Sequence, residues 1–358
     1  MIREERAPTS ICVLRLSAIG DACNAVAAVQ AIQEHYPEAK ITWVIGKIEK
    51  LLLDGLPGVE FIIFDKSQGK QAFTKLKHDM RGKHFDVLLH MQVALRANWA
   101  AHFIPAKRKI GFDWSRSKEL HALFTNERIS EQTQAHVLDG FFAFAEKLGV
   151  PASAKHPLRW NIPIPAEDQI FADKYIPPFS QSGTRTLVIS PAASKQDRNW
   201  LPDRYAAIAN HAHQQGFRIV LCGGPAKIDL NLGKSIEKLA LTSVINLIGK
   251  TNLKQMLALL GNASLVLAPD TGPAHMAVTQ GTPVLGLYGH SNPKRTGPYL
   301  YQDYVAEVYH QNLFDQKGKT ANSLPWGTRV KGSNIMSQIS EDQVIEHFNQ
   351  LCSDFNLL

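Results

Sequence analysis

Twice along this chain, short apolar runs of strand length alternate with stretches whose apolar residues return every three or four positions. That doubled alternation restricts the fold more than any other feature. In the first series the runs at 11–16, 41–45, 61–64, 85–91 and 109–112 read as strands, with helical stretches at 22–36, 71–83 and 135–148. The helix over 22–36 is marked by Val26, Val29, Ile32 and Tyr36 and is stopped by Pro37. In the second series strands are expected at 186–190, 217–222, 244–248, from Leu265, and at 283–288, with helices at 205–215, 228–239 and 253–260. A proline-dotted stretch over 151–178 separates the two. Runs that are apolar without alternation belong to parallel strands covered on both faces. The expected fold is therefore α/β, with two doubly wound domains facing across a cleft. The expected divisions are 1–175, 176–338 and a terminal segment over 339–358, a helix opened by Ser340-Glu341-Asp342-Gln343 and packing back towards the first domain.

A chain of 358 residues is long enough for two full cores, and a hydrophobic fraction of 44% with 20% charged residues is that of a globular protein in water. No apolar run reaches the length of a membrane span, and Met1-Ile2-Arg3-Glu4-Glu5-Arg6 lacks a signal-peptide core, so a cytoplasmic location is expected. Cys12, Cys23, Cys222 and Cys352 lack metal-ligand spacing and read as buried free thiols. The formal net charge of +7 points to an anionic partner. Its Lys and Arg are dispersed, without a basic block or a nucleic-acid signature, so nucleic acid is not expected.

Chemistry is expected where strands end. The run from Leu265 ends in Asp270-Thr271-Gly272-Pro273, and Pro273 suits the first turn of a helix. The free N–H groups and positive dipole end of that helix would face the turn and suit a phosphate. Asp270 would then accept hydrogen bonds from sugar hydroxyls, with Thr271 and Gly272 offering donors to phosphate oxygens. The alternative is an ordinary cap, in which Asp270 or Thr271 satisfies its own helix. Asp21, in the turn Ser17-Ala18-Ile19-Gly20-Asp21 after the first strand, occupies the corresponding edge of the first domain, which has no G-x-G-x-x-G.

Three segments, the turn at 17–21, Ser194-Lys195-Gln196-Asp197-Arg198-Asn199-Trp200, and Asp270-Thr271-Gly272-Pro273-Ala274-His275, follow in an order and spacing that resemble the ADP-heptose:lipopolysaccharide heptosyltransferases, glycosyltransferase family 9. The resemblance extends from Ile11 to the terminal helix. It implies two Rossmann-like domains of the GT-B type, the first for a lipid acceptor and the second for the nucleotide-sugar, with ADP-heptose as donor substrate and no cofactor or required metal. It further implies Asp21 as the general base. Ser194, Arg198, Gly223, Gly224, Asp270, Thr271, Gly272 and His275 would lie at the donor, and Arg96 and Arg116 at the acceptor. Arg198 stands where the family commonly carries lysine, and the swap keeps the charge while adding a fork of donors. The partners implied are the lipopolysaccharide core acceptor and the anionic inner face of the cytoplasmic membrane, where the protein would sit peripherally. The segment over 313–331, with Pro325-Trp326-Gly327, has no counterpart in that resemblance and its role is open.

Overall fold

The computed structural model describes residues 7–357, which divide into two compact units, Met1–Pro163 and Ile164–Leu358. In the first, β1 (Ser10–Leu14), α1 (Ile19–His35), β2 (Lys40–Gly46), α2 (Lys47–Leu53), β3 (Val59–Phe64), α3 (Lys70–Asp79), β4 (Phe85–His90), α4 (Leu95–His102), β5 (Ala106–Gly111), β6 (Glu127–Arg128) and α5 (Val137–Lys147) follow one another. Their strands form one parallel sheet in the order β3-β2-β1-β4-β5-β6.

The second unit begins with α6 (Ala166–Tyr175) and α7 (Phe179–Ser182). Then come β7 (Thr186–Ile189), α8 (Pro202–Gln214), β8 (Arg218–Leu221), α9 (Lys227–Leu239), β9 (Val244–Asn246), α10 (Leu253–Asn262), β10 (Leu265–Pro269), α11 (Gly272–Thr279) and β11 (Val284–Tyr288). It closes with α12 (Pro293–Thr296), β12 (Val305–Glu307), α13 (Tyr309–Lys317) and α14 (Glu341–Asp354). Its sheet is also parallel, in the order β12-β11-β10-β7-β8-β9. Counted within each unit, both sheets have the 3-2-1-4-5-6 order of a Rossmann fold. The strand order reverses between β1 and β4 and between β7 and β10, which makes the carboxyl ends of those strands the ligand edges.

The central strands follow from their sequences. Every residue of β10 and β11 is buried, as expected of strands covered on both faces. Small residues dominate the buried face of α1, where Ala22, Ala25, Ala27, Ala28 and Ala31 let the helix pack closely against α5. All four cysteines are buried and free.

Three details are set by packing that the sequence does not display. The first unit ends at Pro163, twelve residues before the expected 175, because the proline-dotted stretch contains α6. Asn252 Nδ2 donates to Asp168 Oδ1 at 3.0 Å, Gln169 Nε2 to Asn262 Oδ1 at 3.1 Å and Asn262 Nδ2 to Asp173 Oδ1 at 2.7 Å, so polar bonds fasten α6 to α10 where an apolar stripe would have been visible. The terminal helix does start at Ser340, whose Oγ accepts the Gln343 N–H at 3.1 Å. Its apolar side, Val344, Phe348, Leu351 and Cys352, is part of the second unit's core, with Phe348 edge-on to Phe217 at 5.4 Å. Finally, the stretch after β12, where the sequence analysis placed no helix, contains α13, whose buried face of Tyr309, Asn312 and Leu313 is too short and too mixed to show a period.

Candidate functional site

At the first ligand edge, Asp21 lies in the opening turn of α1, which starts earlier than the sequence suggested. Its Oδ2 accepts the Ala18 N–H at 3.2 Å, one half of a capping box, and pairs with Nη2 of Arg15. Both contacts fall on the same oxygen. Among the described residues Oδ1 has no hydrogen-bond or ion-pair partner, and the side chain is 32% exposed. Arg15 is 12% exposed, donates through Nη1 to Met91 O at 2.7 Å and lies over the Phe141 ring at 5.1 Å. The turn is held from β4 as well, where Gln92 Oε1 accepts the Leu16 N–H at 2.7 Å. Arg15 and Gln92 escaped notice because the β1–β4 register, with Leu14 beside His90, is what brings residues 76 positions apart together.

The acceptor-side expectations divide. Arg96 is exposed on α4. Arg116 is committed internally, its Nε donating to Asp113 Oδ2 at 2.6 Å, Nη2 to Gln132 Oε1 at 3.2 Å, and its guanidinium lying 5.0 Å from the Phe112 ring. The segment around it contains a 3-10 turn over His121–Phe124, anchored by a buried polar cluster. His90 Nε2 and His121 Nδ1 share Asn98 Oδ1 at 2.9 and 3.0 Å, His121 Nε2 accepts the Phe112 N–H at 3.2 Å, and Asn98 Nδ2 donates to Glu119 O at 2.6 Å. His90 Nδ1 is buried without a partner.

Burial, followed by the charge of His121, pushes the His90 imidazole well below its ordinary range, and burial, followed by Arg128, brings His121 down to about 4. In the unfolded chain both rings take up protons near pH 6.5. Below that pH the unfolded state binds more protons than the folded one, so stability falls as pH falls towards about 4. The expected result by calorimetry is a Tm that is level above about pH 7 and declines between about pH 6.5 and 5, a window above the ordinary aspartate range. A level Tm across that window would mean that the rings accept protons in place.

At the second ligand edge, the side chains of the Asp-Thr-Gly-Pro turn make contacts other than a helix cap. Thr271 is the residue before α11, yet no side chain caps the helix. Thr271 Oγ1 donates to Pro269 O at 3.1 Å, and Asp270 Oδ2 receives Ser291 Oγ and, at 3.5 Å, Thr296 Oγ1. The side chain of Thr271 thus does not cap the helix, and Pro273 lies in its first turn as expected. His275, on the same helix, is buried.

Arg198 ends a 3-10 turn over Gln196–Arg198, on the connection that follows β7, while Ser194 is exposed upstream of it. Burial most, and Arg329 next, lower the Arg198 pKa, while Asp270 and Asp197 act in the other direction. The segments that carry Arg198 and Asp270 follow β7 and β10, on either side of the switch point. Gly223 and Gly224 follow β8, and Gly224 N–H donates to Asp229 Oδ1 at 3.0 Å. A Cβ on either would come into ordinary van der Waals contact with Asp229 Oδ1 at 3.4 Å. Asp229 and Ser291 went unnoticed, since each acts only through contacts made after folding.

Residues 73–325 match the family profile described as "Glycosyltransferase family 9 (heptosyltransferase)". This chain belongs to glycosyltransferase family 9. Its likeness to the lipopolysaccharide core heptosyltransferase OpsX of Haemophilus influenzae is 46% identity over 345 residues, covering 96% of this chain and 97% of that protein. Among solved structures, a family 9 glycosyltransferase from Veillonella parvula is 24% identical with a TM-score of 0.78, covering 97% of each chain. The E. coli heptosyltransferase WaaC with ADP is 19% identical with a TM-score of 0.72, covering 96% of this chain and 99% of that one. These two establish the fold, which is that of family 9. The chain is accordingly a glycosyltransferase of the heptosyltransferase class. Among the described residues no group of three or more His, Cys, Asp or Glu side chains is placed to hold a metal ion, and no helix is long and apolar enough to cross a membrane.

Proposed function

We propose that this protein transfers a heptose, with inversion, from ADP-heptose to the inner core of lipopolysaccharide at the cytoplasmic face of the membrane that carries the acceptor. The OpsX likeness supports the substrate class. The observation that carries the mechanism is the pair of prepared edges: a carboxylate anchored through Oδ2 with Oδ1 open, and an uncapped helix start beside a half-buried arginine.

In this reading Asp21 Oδ1 takes the proton of an acceptor hydroxyl while that oxygen bonds to the anomeric carbon. The bond from that carbon to the diphosphate breaks, and its electron pair leaves with ADP. Arg198, the Gly272 N–H and the neighbouring first-turn N–H groups of α11 neutralise the charge that develops there. Asp270 orients the sugar, Thr271 and Ser194 add hydroxyls near the phosphates, His275 lines the donor pocket, and the turn at Gly223 and Gly224 admits the nucleotide. Arg96 attracts the anionic acceptor. Arg116 supports the same side through Asp113, so its removal would act on the loop first.

Incubation with a panel of nucleotide-sugars and truncated core lipids in anionic vesicles tests the assignment. ADP-heptose is expected to be consumed only with a core acceptor present; consumption of another donor in its place would overturn the substrate. Arg198→Ala is expected to weaken donor binding roughly 10- to 100-fold by calorimetry, the worth of a charge-assisted hydrogen bond. Unchanged affinity would remove Arg198 from the diphosphate.

A further inference from the structure

We infer that Arg329, carried by the segment over 313–331, is a second cation on the donor diphosphate, and that His290 is the positioning residue that holds its backbone and that of Arg198 at one site. The inference rests on the donor reading above and extends it to a segment that the sequence left without a role.

The chain leaves β11 at Tyr288 and places His290, 7% exposed, beside the Asp270 turn. The two ring nitrogens of His290 face two carbonyl oxygens: Nδ1 that of Val330 at 3.0 Å, Nε2 that of Asp197 at 2.9 Å. Val330 N–H donates back to His290 O at 3.1 Å. Asp197 immediately precedes Arg198, and Val330 immediately follows Arg329. One imidazole therefore bridges the two arginine-bearing segments at the residues next to the arginines. Whichever ring nitrogen carries a proton donates to the carbonyl it faces.

The rest of the segment is built to deliver Arg329 there. Val330 is buried in a small core with Tyr309, Leu313, Ala321 and Ile335, and Tyr309 OH donates to Thr328 O at 2.8 Å. Thr328 N–H in turn donates to Pro325 O at 2.8 Å, tightening the turn before it. Held between Thr328 and Val330, Arg329 has a fixed backbone and an exposed side chain. Its charge is felt at Arg198, and neither guanidinium has a carboxylate ion-pair partner among the described residues. Two cations held near each other repel until an anion sits between them. A diphosphate beside the uncapped α11 start supplies that anion with charge for both forks.

Titration calorimetry of the full chain with ADP and with adenosine tests this. Arg329→Ala, at an exposed position, is expected to bind ADP about 10-fold more weakly with its Tm and adenosine affinity unchanged. His290→Gln is expected to weaken ADP at least as much, and to cost less in an Arg329→Ala background than in the wild type, because there only its hold on the Arg198 segment is left to lose. Wild-type ADP affinity in Arg329→Ala would overturn the second cation and leave the donor reading standing. Fully additive losses would remove His290 as its positioning residue. A wild-type protein that binds no ADP would overturn both readings together.

Discussion

Asp21→Asn is expected to retain ADP binding and to lose transfer by roughly 10²- to 10⁴-fold, the usual contribution of a positioned general base. The substitution is close to a pure chemical one. An asparagine carbonyl can still accept the Ala18 N–H, so the start of α1 keeps its hydrogen bond. Arg15 loses the charge of its partner but keeps its bond to Met91 O and its place over Phe141. What disappears is the basic Oδ1, the oxygen without a hydrogen-bond or ion-pair partner among the described residues. Single-turnover rates beside ADP calorimetry separate the two effects. Undiminished turnover would show that the proton goes elsewhere, and a parallel loss of ADP affinity would show a structural defect in place of a chemical one.

The features legible in the sequence were those made by neighbours in the chain. Strand, turn and helix start are contiguous at Asp21 and at Asp270-Thr271-Gly272-Pro273, and parallel α/β sheets place such turns at the carboxyl edge. Both turns could therefore be located before the fold was seen. Whether Thr271 or Asp270 capped its own helix could not, because the answer depends on Ser291 and Thr296, which reach Asp270 only once β11 lies beside β10. The same holds for Arg15, Gln92 and His290, whose partners come from other strands or from the far end of the unit. Helices α6 and α13 were missed for a different reason. Only Asp168 and Ala172 are buried on α6, so its attachment is written in Asn, Gln and Asp side chains and carries no apolar period.

The supports behind Asp21 also differ in kind from those at the donor edge. At the proposed donor site, side chains hold side chains and backbone, and single replacements would leave alternatives, since Arg198, Arg329 and the α11 N–H groups are all proposed to bear on one anion. Behind Asp21 the fit is backbone against backbone. Gly46 ends β2 and precedes α2 at the point where the chain from β1 enters the turn that carries Asp21. A Cβ there would lie 2.2 Å from Leu16 O and 2.4 Å from Glu49 Oε2.

Gly46→Ala is therefore expected to damage catalysis more than its distance in sequence from Asp21 suggests. The Glu49 carboxylate can swing away, but the Leu16 carbonyl belongs to the segment whose N–H is fixed by Gln92 and whose neighbour Arg15 pairs with Asp21. Relief must come from moving that segment by a sizeable fraction of an ångström or more, which carries Arg15 and Asp21 with it. Overpacking of this type costs about 1–3 kcal/mol, a fall in Tm of about 5 °C for a unit of this size. A misplacement of about 1 Å at a reacting group lowers the rate by about 100-fold. Transfer should thus fall about 100-fold in a protein that still folds and still binds ADP. Adding Glu49→Ala removes only the flexible half of the clash, so the double variant should remain impaired. Full recovery in the double variant would assign the defect to the Glu49 carboxylate, and a Gly46→Ala protein with unaltered Tm and rate would show that the turn has slack the packing at Leu16 does not reveal.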